Sequence, residues 1–194
     1  MVGRQHPGLS SRRIVLVRHA LSAVDPDVDS RKWGIADGAD GDCLRLADAL
    51  PARPAVVYAS AERKAVDTAE AVAARVGAEL RTDERFGEVR RPYVDGDYRT
   101  VALAYLRADH DGWEPRTEVM ARFSRALDDA LATTSGDVLV VDHGLAMSLY
   151  VASVTDVDVV SFWSGLTFPD AWSLDPASRT AERLFDGGRP APDV

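Results

Sequence analysis

The chain has 194 residues, a length typical of one domain, and 46% of them are hydrophobic. Its formal net charge of −8 at pH 7 argues against general binding to nucleic acid or to an acidic membrane, which favours basic proteins. The single cysteine, Cys43, excludes an internal disulfide, and we see neither a secretory leader nor a membrane-spanning run, so we expect a cytoplasmic protein.

Taken in order, the chain alternates apolar strands with amphipathic helices. A strand at 13–17 precedes a Gly-, Pro- and Asp-rich loop at 22–42, and loops of that length are often functional. Ser60 is the expected cap, and Gly77 the expected end, of an alanine-rich helix at 62–76. The other predicted helices are 41–50, 100–107, 118–132, 144–154 and 156–163, and the other strands are 55–59, 78–81, 137–141, 171–174 and 180–185.

This alternation predicts an α/β domain with a largely parallel sheet. We assign 1–12 to a flexible N-terminal tail, 13–186 to the domain and 187–194 to a C-terminal tail. The apolar residues near the C-terminus are candidates for either the core or a homodimer interface: Trp163, Phe168 and Trp172.

Two histidines follow apolar strands. His19 comes after Arg18 at the end of the first strand, and His143 is followed by Gly144 at the end of the strand at 137–141. Ligands of α/β sheets bind beyond the carboxyl ends of strands. An imidazole beside a guanidinium suits phosphoryl transfer, although either histidine alone is also compatible with a core or capping role.

Further charged residues are compatible with the same chemistry. Arg63 and Lys64 lie in the first turn of a helix, where the macrodipole disfavours cations unless an anion is bound. A solvated helix face explains them equally well. Glu88 is an unremarkable surface glutamate by itself, but near a phosphate it could donate a proton to a leaving alcohol.

Together these segments resemble the histidine phosphatase superfamily, which includes the cofactor-dependent phosphoglycerate mutases. Residues 16–22 (LVRHALS) are similar to its Arg-His motif, and residues 60–69 (SAERKAVDTA) match the spacing of its S-x-L-x-R-A-x-x-T-A helix. Glu88 sits where the family keeps its acid, residues 112–122 resemble the Gly-Gly-Glu-Ser segment, and Asp142-His143-Gly144 resembles the second histidine motif. The resemblance covers about 13–175.

The resemblance implies a three-layer α/β/α sandwich in which the first and fourth strands are adjacent. It implies that His19 becomes phosphohistidine, that Arg18 and His143 hold the phosphoryl group, and that Glu88 serves as acid and then as base. The positions expected to bind substrate are Lys64, Arg63, Ser22 and Gly144. The implied activity is that of a histidine acid-type phosphatase, a phosphoric monoester hydrolase that needs no metal or cofactor. Its expected partners are a small phosphorylated molecule or phosphate.

The chain departs from the family pattern at two charged positions. Lys64 replaces the second arginine, which keeps the charge but loses the bidentate fork unless Arg63 turns inward. Asp25 stands where many members have asparagine, and its carboxylate would repel a phosphate dianion unless it is turned away.

Two alternatives to a phosphatase stay open at this point. One is a phosphoglycerate-mutase-type phosphotransferase, although the segment between Glu88 and His143 offers little material for the lid that would exclude water. The other is a weakly active or inactive member that binds phosphorylated ligands, which Lys64 and Asp25 favour. A nucleotide-loop protein and a metallohydrolase are disfavoured, because the first strand lacks a glycine-rich loop and the His and Asp residues lack ligand-like clustering.

Overall fold

The structure is a computed structural model that describes residues 12–189. Residues 1–11 of the predicted N-terminal tail and 190–194 of the predicted C-terminal tail lie outside the described residues. Arg12, which we assigned to the tail, donates side-chain hydrogen bonds to the carbonyls of Leu131 and Thr134, the latter at 2.7 Å. Arg12 therefore contacts the last turn of the helix that ends at Thr133 and the residue that follows it.

Within residues 12–189 the chain forms six strands and six α-helices. The strands are β1 (Ile14–Arg18), β2 (Val56–Ala59), β3 (Glu79–Thr82), β4 (Val138–Asp142), β5 (Phe168–Asp175) and β6 (Thr180–Arg189). The helices are α1 (Ala39–Ala49), α2 (Arg63–Val76), α3 (Tyr98–Arg107), α4 (Arg116–Thr133), α5 (Gly144–Val154) and α6 (Val159–Gly165).

The strands form one sheet in the order β3-β2-β4-β1-β5-β6. The four strands from β3 to β1 run parallel, and β5 and β6 are antiparallel additions at the β1 side. Strand β4 thus lies between β2 and β1, both of which precede it in the chain. The predicted mostly parallel sheet, with the first strand beside the strand at 137–141, is confirmed.

Alternate residues of the central strands face two separate cores, which makes the fold three-layered. Ile14 and Leu16 of β1 pack with helices α3, α4, α5 and α6 on one face. Val15 and Val17 of the same strand pack with α1 and α2 on the other. Strands covered on both faces need continuous apolar sequence, which is why β1 and β4 have no polar residue before their last position. The predicted α/β/α sandwich is confirmed.

The main differences from the predicted elements lie near the C-terminus. Strand β5 begins three residues before the predicted 171, and β6 continues to Arg189, so residues 187–189 of the predicted tail belong to the sheet. The Arg189 guanidinium lies 2.9 Å from the buried carboxylate of Asp42, which fixes this extension to α1. Trp163 and Phe168, candidates for a dimer face, are buried within the chain. No helix in the described range has the length and apolarity that crossing a bilayer requires.

Candidate active site

The two histidines meet because their strands are neighbours in the sheet. Arg18 and Asp142 are register partners at the ends of β1 and β4, and the His19 N–H donates to the Asp142 carbonyl at 3.0 Å. His19 and His143 therefore leave the sheet side by side, with ring centroids 5.1 Å apart and planes at 62°. Both side chains are buried.

The backbone holds the His19 ring in one orientation. Its Nδ1 lies 2.7 Å from the carbonyl of Ala20, which fixes the proton on Nδ1 and leaves the lone pair on Nε2. The Ala20 N–H donates in turn to Thr68 Oγ1 at 3.0 Å, which ties this turn to α2. Burial, with the nearby charges of His143 and Lys64, holds the pKa of His19 well below its usual 6.5. The imidazole is neutral at neutral pH as a result.

Arg18 reaches past the strand end into an apolar setting. Its guanidinium carbon lies 3.6 Å from the centroid of the Phe168 ring, and its Nη1 donates to the Leu166 carbonyl at 3.2 Å. Burial lowers the pKa of Arg18 to about 10. Its Nε is buried and has no hydrogen-bond partner among residues 12–189. This cation therefore retains a donor that a bound anion can satisfy.

His143 is oriented by Ser60, the residue that follows β2. The ring Nε2 lies 2.8 Å from Ser60 Oγ, while the buried Nδ1 has no hydrogen-bond partner in the part of the chain that the structure describes. Burial, together with the positive charges of Lys64, Arg122 and Arg18, holds the pKa of His143 well below 6.5. The prediction that Ser60 caps α2 is wrong, since Glu62 occupies the N-cap position and Ser60 bonds to the histidine instead.

Glu88 lies over the first turn of α5, the helix that begins at Gly144 directly after His143. Its carboxylate accepts the backbone N–H groups of Val89 and Ala146, both at 2.9 Å, and of Leu145 at 3.1 Å. A helix N-terminus favours an anion at this place. The acid predicted from the sequence is thus joined to the strand-end turn that carries His143.

A buried ion pair holds the backbone around Glu88. Arg122 of α4 makes two hydrogen bonds to the Glu114 carboxylate, at 2.8 and 3.0 Å. The same guanidinium donates to the carbonyls of Arg85, Gly87 and Glu88, at 2.6, 2.8 and 3.1 Å. Glu114 and Arg122, which we had noted only as part of a motif, therefore fix the position of the loop that carries Glu88.

Lys64 reaches this cluster, but its charge is already paired. Its Nζ lies 2.6 Å from Glu62 Oε2 and donates to the Ser30 carbonyl at 2.9 Å. Arg63, which we predicted to bind substrate, does not join the cluster. Its side chain is 66% exposed and pairs with Asp67 one turn along α2, because consecutive residues of a helix point in different directions.

The predicted position Ser22 and the atypical Asp25 both lie in the loop after β1. Ser22 pairs through its backbone with Ile35 in an isolated bridge that closes the loop. The carboxylate of Asp25 accepts the N–H of Asp27 at 3.0 Å, within its own exposed turn. Neither the hydroxyl of Ser22 nor the carboxylate of Asp25 has a described contact with the two histidines.

The sequence predicted no role in the site for two acidic residues, Glu62 and Asp142. Glu62 Oε1 lies 3.6 Å from His143 Nε2 and accepts the Glu88 N–H at 2.9 Å. Asp142 is fully buried without a hydrogen-bond partner for either carboxylate oxygen within the described range, and burial raises its pKa well above 3.8. Glu62 could have been found, because it stands at the leucine position of the motif at 60–69. Among residues 12–189, no group of three or more His, Cys, Asp or Glu side chains is arranged to hold a metal ion.

A comparison with protein-family models identifies the relationship directly. The model described as "Histidine phosphatase superfamily (branch 1)" matches residues 14–174, which span all of this cluster. The chain belongs to the histidine phosphatase superfamily. The family resemblance drawn from the sequence motifs is confirmed. A search of curated proteins finds no significant match to this chain.

Solved structures share the fold of this histidine phosphatase. A mycobacterial glucosyl-3-phosphoglycerate phosphatase is 20% identical, with a TM-score of 0.71, and the match covers 91% of this chain and 98% of that one. Its complex with inorganic phosphate gives 20% identity, 92% and 98% coverage and a TM-score of 0.70. Bacillus stearothermophilus YhfR is 20% identical over 90% and 96% of the two chains, with a TM-score of 0.66. At these identities the likeness establishes the fold.

Proposed function

We propose that this histidine phosphatase is a phosphoric monoester hydrolase of the histidine acid type, which transfers the phosphoryl group to His19 without a metal ion. The observation that supports it most strongly is the orientation of His19 beside His143. The bond to the Ala20 carbonyl occupies Nδ1, and the lowered pKa leaves the Nε2 lone pair available at neutral pH. A neutral, oriented imidazole is a competent nucleophile toward phosphorus.

The neighbouring donors support binding of a phosphoryl group beside that nucleophile. Arg18 Nε and His143 Nδ1 are buried polar atoms without a hydrogen-bond partner in residues 12–189. Buried polar atoms without a partner are costly; Arg18 Nε is a donor, and His143 Nδ1 is one when Ser60 Oγ donates to Nε2, so strongly accepting phosphoryl oxygens suit both. We assign Arg18 and His143 to holding the phosphoryl group and to stabilising the charge that develops on it.

The proposed reaction has two steps. His19 Nε2 forms a bond to phosphorus while the ester oxygen leaves, taking a proton from the Glu88 carboxyl group. Water then attacks the phosphohistidine, Glu88 takes a proton from that water, and inorganic phosphate and free His19 result. The N–H groups of Leu145 and Ala146 hold this carboxyl group over the start of α5, close in sequence to His143. They favour the carboxylate that accepts the proton in the second step, and the first step requires Glu88 to be protonated when substrate binds.

The test is hydrolysis of p-nitrophenyl phosphate in excess chelator by the wild-type chain and by His19→Ala. We expect chelator-resistant turnover that falls by at least about a thousandfold in the variant. His110→Ala is the matched control, since His110 is an exposed histidine that packs on Trp113 and should tolerate the change. Wild-type turnover that survives in His19→Ala would overturn the assignment of the nucleophile.

A trapping experiment adds a readout that does not depend on turnover. After a short incubation with a radiolabelled phosphoester, the wild-type chain should carry label that resists alkali and is lost in acid, as expected for phosphohistidine. The His19→Ala variant should carry none. Label on another residue would contradict the proposed intermediate.

One observation favours a second candidate, a member that binds phosphorylated ligands but turns them over slowly. Lys64 is already paired with Glu62, so it contributes less positive charge to a bound phosphoryl group than a free cation would. The two candidates differ in the assay above. Absence of wild-type turnover, with inorganic phosphate still raising the melting temperature, would favour the binding protein.

A further inference from the structure

Glu62 is a carboxylate placed within a cluster of cations and imidazoles. It occupies the N-cap position of α2, yet its side chain makes no capping hydrogen bond to that helix. Its two oxygens instead face Lys64 Nζ at 2.6 Å and His143 Nε2 at 3.6 Å. A carboxylate at the N-cap position normally accepts a hydrogen bond from a backbone N–H of the helix. Because Glu62 makes no such bond, its main interactions are with the residues of the site.

The chain around Glu62 holds the carboxylate in that place. The Glu88 N–H donates to Oε1 at 2.9 Å, and the Ser60 hydroxyl accepts the Glu62 N–H at 3.2 Å. A Cβ atom at Gly87 would lie only 3.0 Å from the Glu84 carbonyl oxygen, so a larger residue would disturb the turn that precedes Glu88. The Glu62 carboxylate thus lies beside Glu88 and His143, two of the residues proposed for catalysis.

The ion pair with Glu62 also reduces the positive charge that Lys64 presents to a bound phosphoryl group. The exposed fractions of the Lys64 and Glu62 side chains are 8% and 11%, so solvent screens the pair little. The remaining contact of the ammonium group is the Ser30 carbonyl at 2.9 Å. An incoming phosphoryl group therefore meets a neutralised ion pair in place of an unpaired cation.

We propose that Glu62 determines the charge preference of the phosphoryl site, so that the site discriminates against doubly ionised phosphoryl groups and favours those with one negative charge. This inference rests on the proposed function, since it concerns the same site. Electrostatic repulsion grows in proportion to the charge of the ligand. Removing the Glu62 charge should consequently strengthen binding of a dianion more than binding of a monoanion of the same shape.

The experiment compares two stable probes by isothermal titration calorimetry at about pH 8 and low salt. Phenylphosphonate carries two charges there, and its monomethyl ester carries one. Phenylphosphonate has no ester bond that His19 could break, and the methoxide of the monomethyl ester is a poor leaving group. In Glu62→Gln we expect Kd to fall about tenfold for the dianion and about threefold for the monoanion. The isosteric amide leaves the shape of the site unchanged and can still accept the Glu88 N–H.

Two comparisons separate this effect from general charge and from folding. Glu70→Gln removes one negative charge from an exposed position of the same helix, and both Kd values should stay within about twofold of wild type. Glu62→Leu restores the apolar residue of the motif and should show the same selectivity change as Glu62→Gln. Circular dichroism and the melting temperature check that each variant is folded.

Lys64 supplies an independent readout through a double-mutant cycle. Lys64→Met should weaken phenylphosphonate binding more in the Glu62→Gln background than in the wild-type background, because the ammonium group released from Glu62 can turn toward the ligand. If Lys64→Met changes the ratio of the two Kd values in the wild-type background and Glu62→Gln does not, Lys64 sets the charge preference and the proposal is wrong.

The outcomes distinguish the inference from the function on which it rests. If the probes bind and Glu62→Gln changes neither Kd, or changes both by the same factor, the inference about Glu62 is wrong while the phosphoryl site stands. If neither probe binds to wild type or to any variant, and p-nitrophenyl phosphate is not hydrolysed, the proposed function itself fails.

Discussion

The guanidinium of Arg18 packs against the backbone of Gly144, the first residue of α5. A Cβ atom on Gly144 would lie 3.2 Å from Arg18 Nε and 3.3 Å from both Cζ and Nη2. On its other side the guanidinium stacks on the Phe168 ring, so it cannot retreat easily. The absence of a side chain at Gly144 therefore leaves room for the Arg18 guanidinium. Glycine is needed here for space and not for an unusual backbone conformation.

We expect Gly144→Ala to displace Arg18 and to lower kcat/KM for p-nitrophenyl phosphate by about ten- to a hundredfold, because small misplacements of charged groups cost that much. Overpacking this buried position should also lower stability by about 1–3 kcal/mol, which urea unfolding measures. Gly41→Ala in α1 is the control, because its Cβ would meet no atom within 4 Å. Activity retained in Gly144→Ala would show that Arg18 does not need this position.

Glu114→Gln should lower both stability and activity through the loop at 85–88. Breaking one partner of a buried ion pair typically costs about 3–5 kcal/mol, and Arg122 would keep its carbonyl contacts without its carboxylate partner. We expect a loss at the lower end of that range in urea unfolding, with a reduced kcat. Glu118→Gln, at a side chain that is 63% exposed, should change stability by less than about 0.5 kcal/mol.

The two buried histidines predict that stability falls as the solution is acidified. Burial is the largest cause that lowers the pKa of His19 and of His143 below 6.5, so the unfolded chain takes up protons that the folded chain does not. The stability they contribute is present above about pH 6.5 and is lost as the pH falls toward their folded values.

Urea unfolding of wild type and His143→Asn between about pH 5 and pH 7 measures this contribution. The substitution should reduce the slope of stability against pH by up to about 1.4 kcal/mol per pH unit, the value for one proton. Parallel profiles for the two proteins would show that His143 takes up its proton in the folded state.

If Glu88 protonates the leaving oxygen, its importance depends on the leaving group. Glu88→Gln should reduce kcat/KM strongly for an alkyl phosphate, by about a hundredfold or more, and by less for p-nitrophenyl phosphate, whose phenolate leaves without a proton. Urea unfolding of the same variant checks the hydrogen bonds to Leu145 and Ala146. Equal losses for both substrates would assign Glu88 a positioning role instead.

The sequence predicted the fold and the meeting of the two histidines because both depend on strong local signals. Continuous apolar runs before His19 and His143 mark strands buried on both faces, and parallel strands deliver such residues to one edge of the sheet. The long loop at 22–42 was also expected to be functional, and Ser30 from that loop contacts Lys64.

The contacts between side chains from distant segments could not be predicted from the sequence. Whether Arg63 or Lys64 points inward depends on the rotation of α2 about its axis, and the hydrogen bond from the Glu88 N–H to Glu62 joins residues 26 apart in the chain. The end of β6 was misplaced because glycines at 187 and 188 suggested a tail, whereas antiparallel pairing with β5 and the contact from Arg189 to Asp42 extend the strand.

The central place of β4 has a consequence for how the chain folds during synthesis. Its two neighbours, β1 and β2, are complete well before it, but they pair with β4 and not with each other. Until residue 142 has left the ribosome, both early strands therefore carry apolar edges without a partner, and long-range parallel pairing of this kind is slow. We expect nascent chains shorter than this to be aggregation-prone and to depend on chaperones.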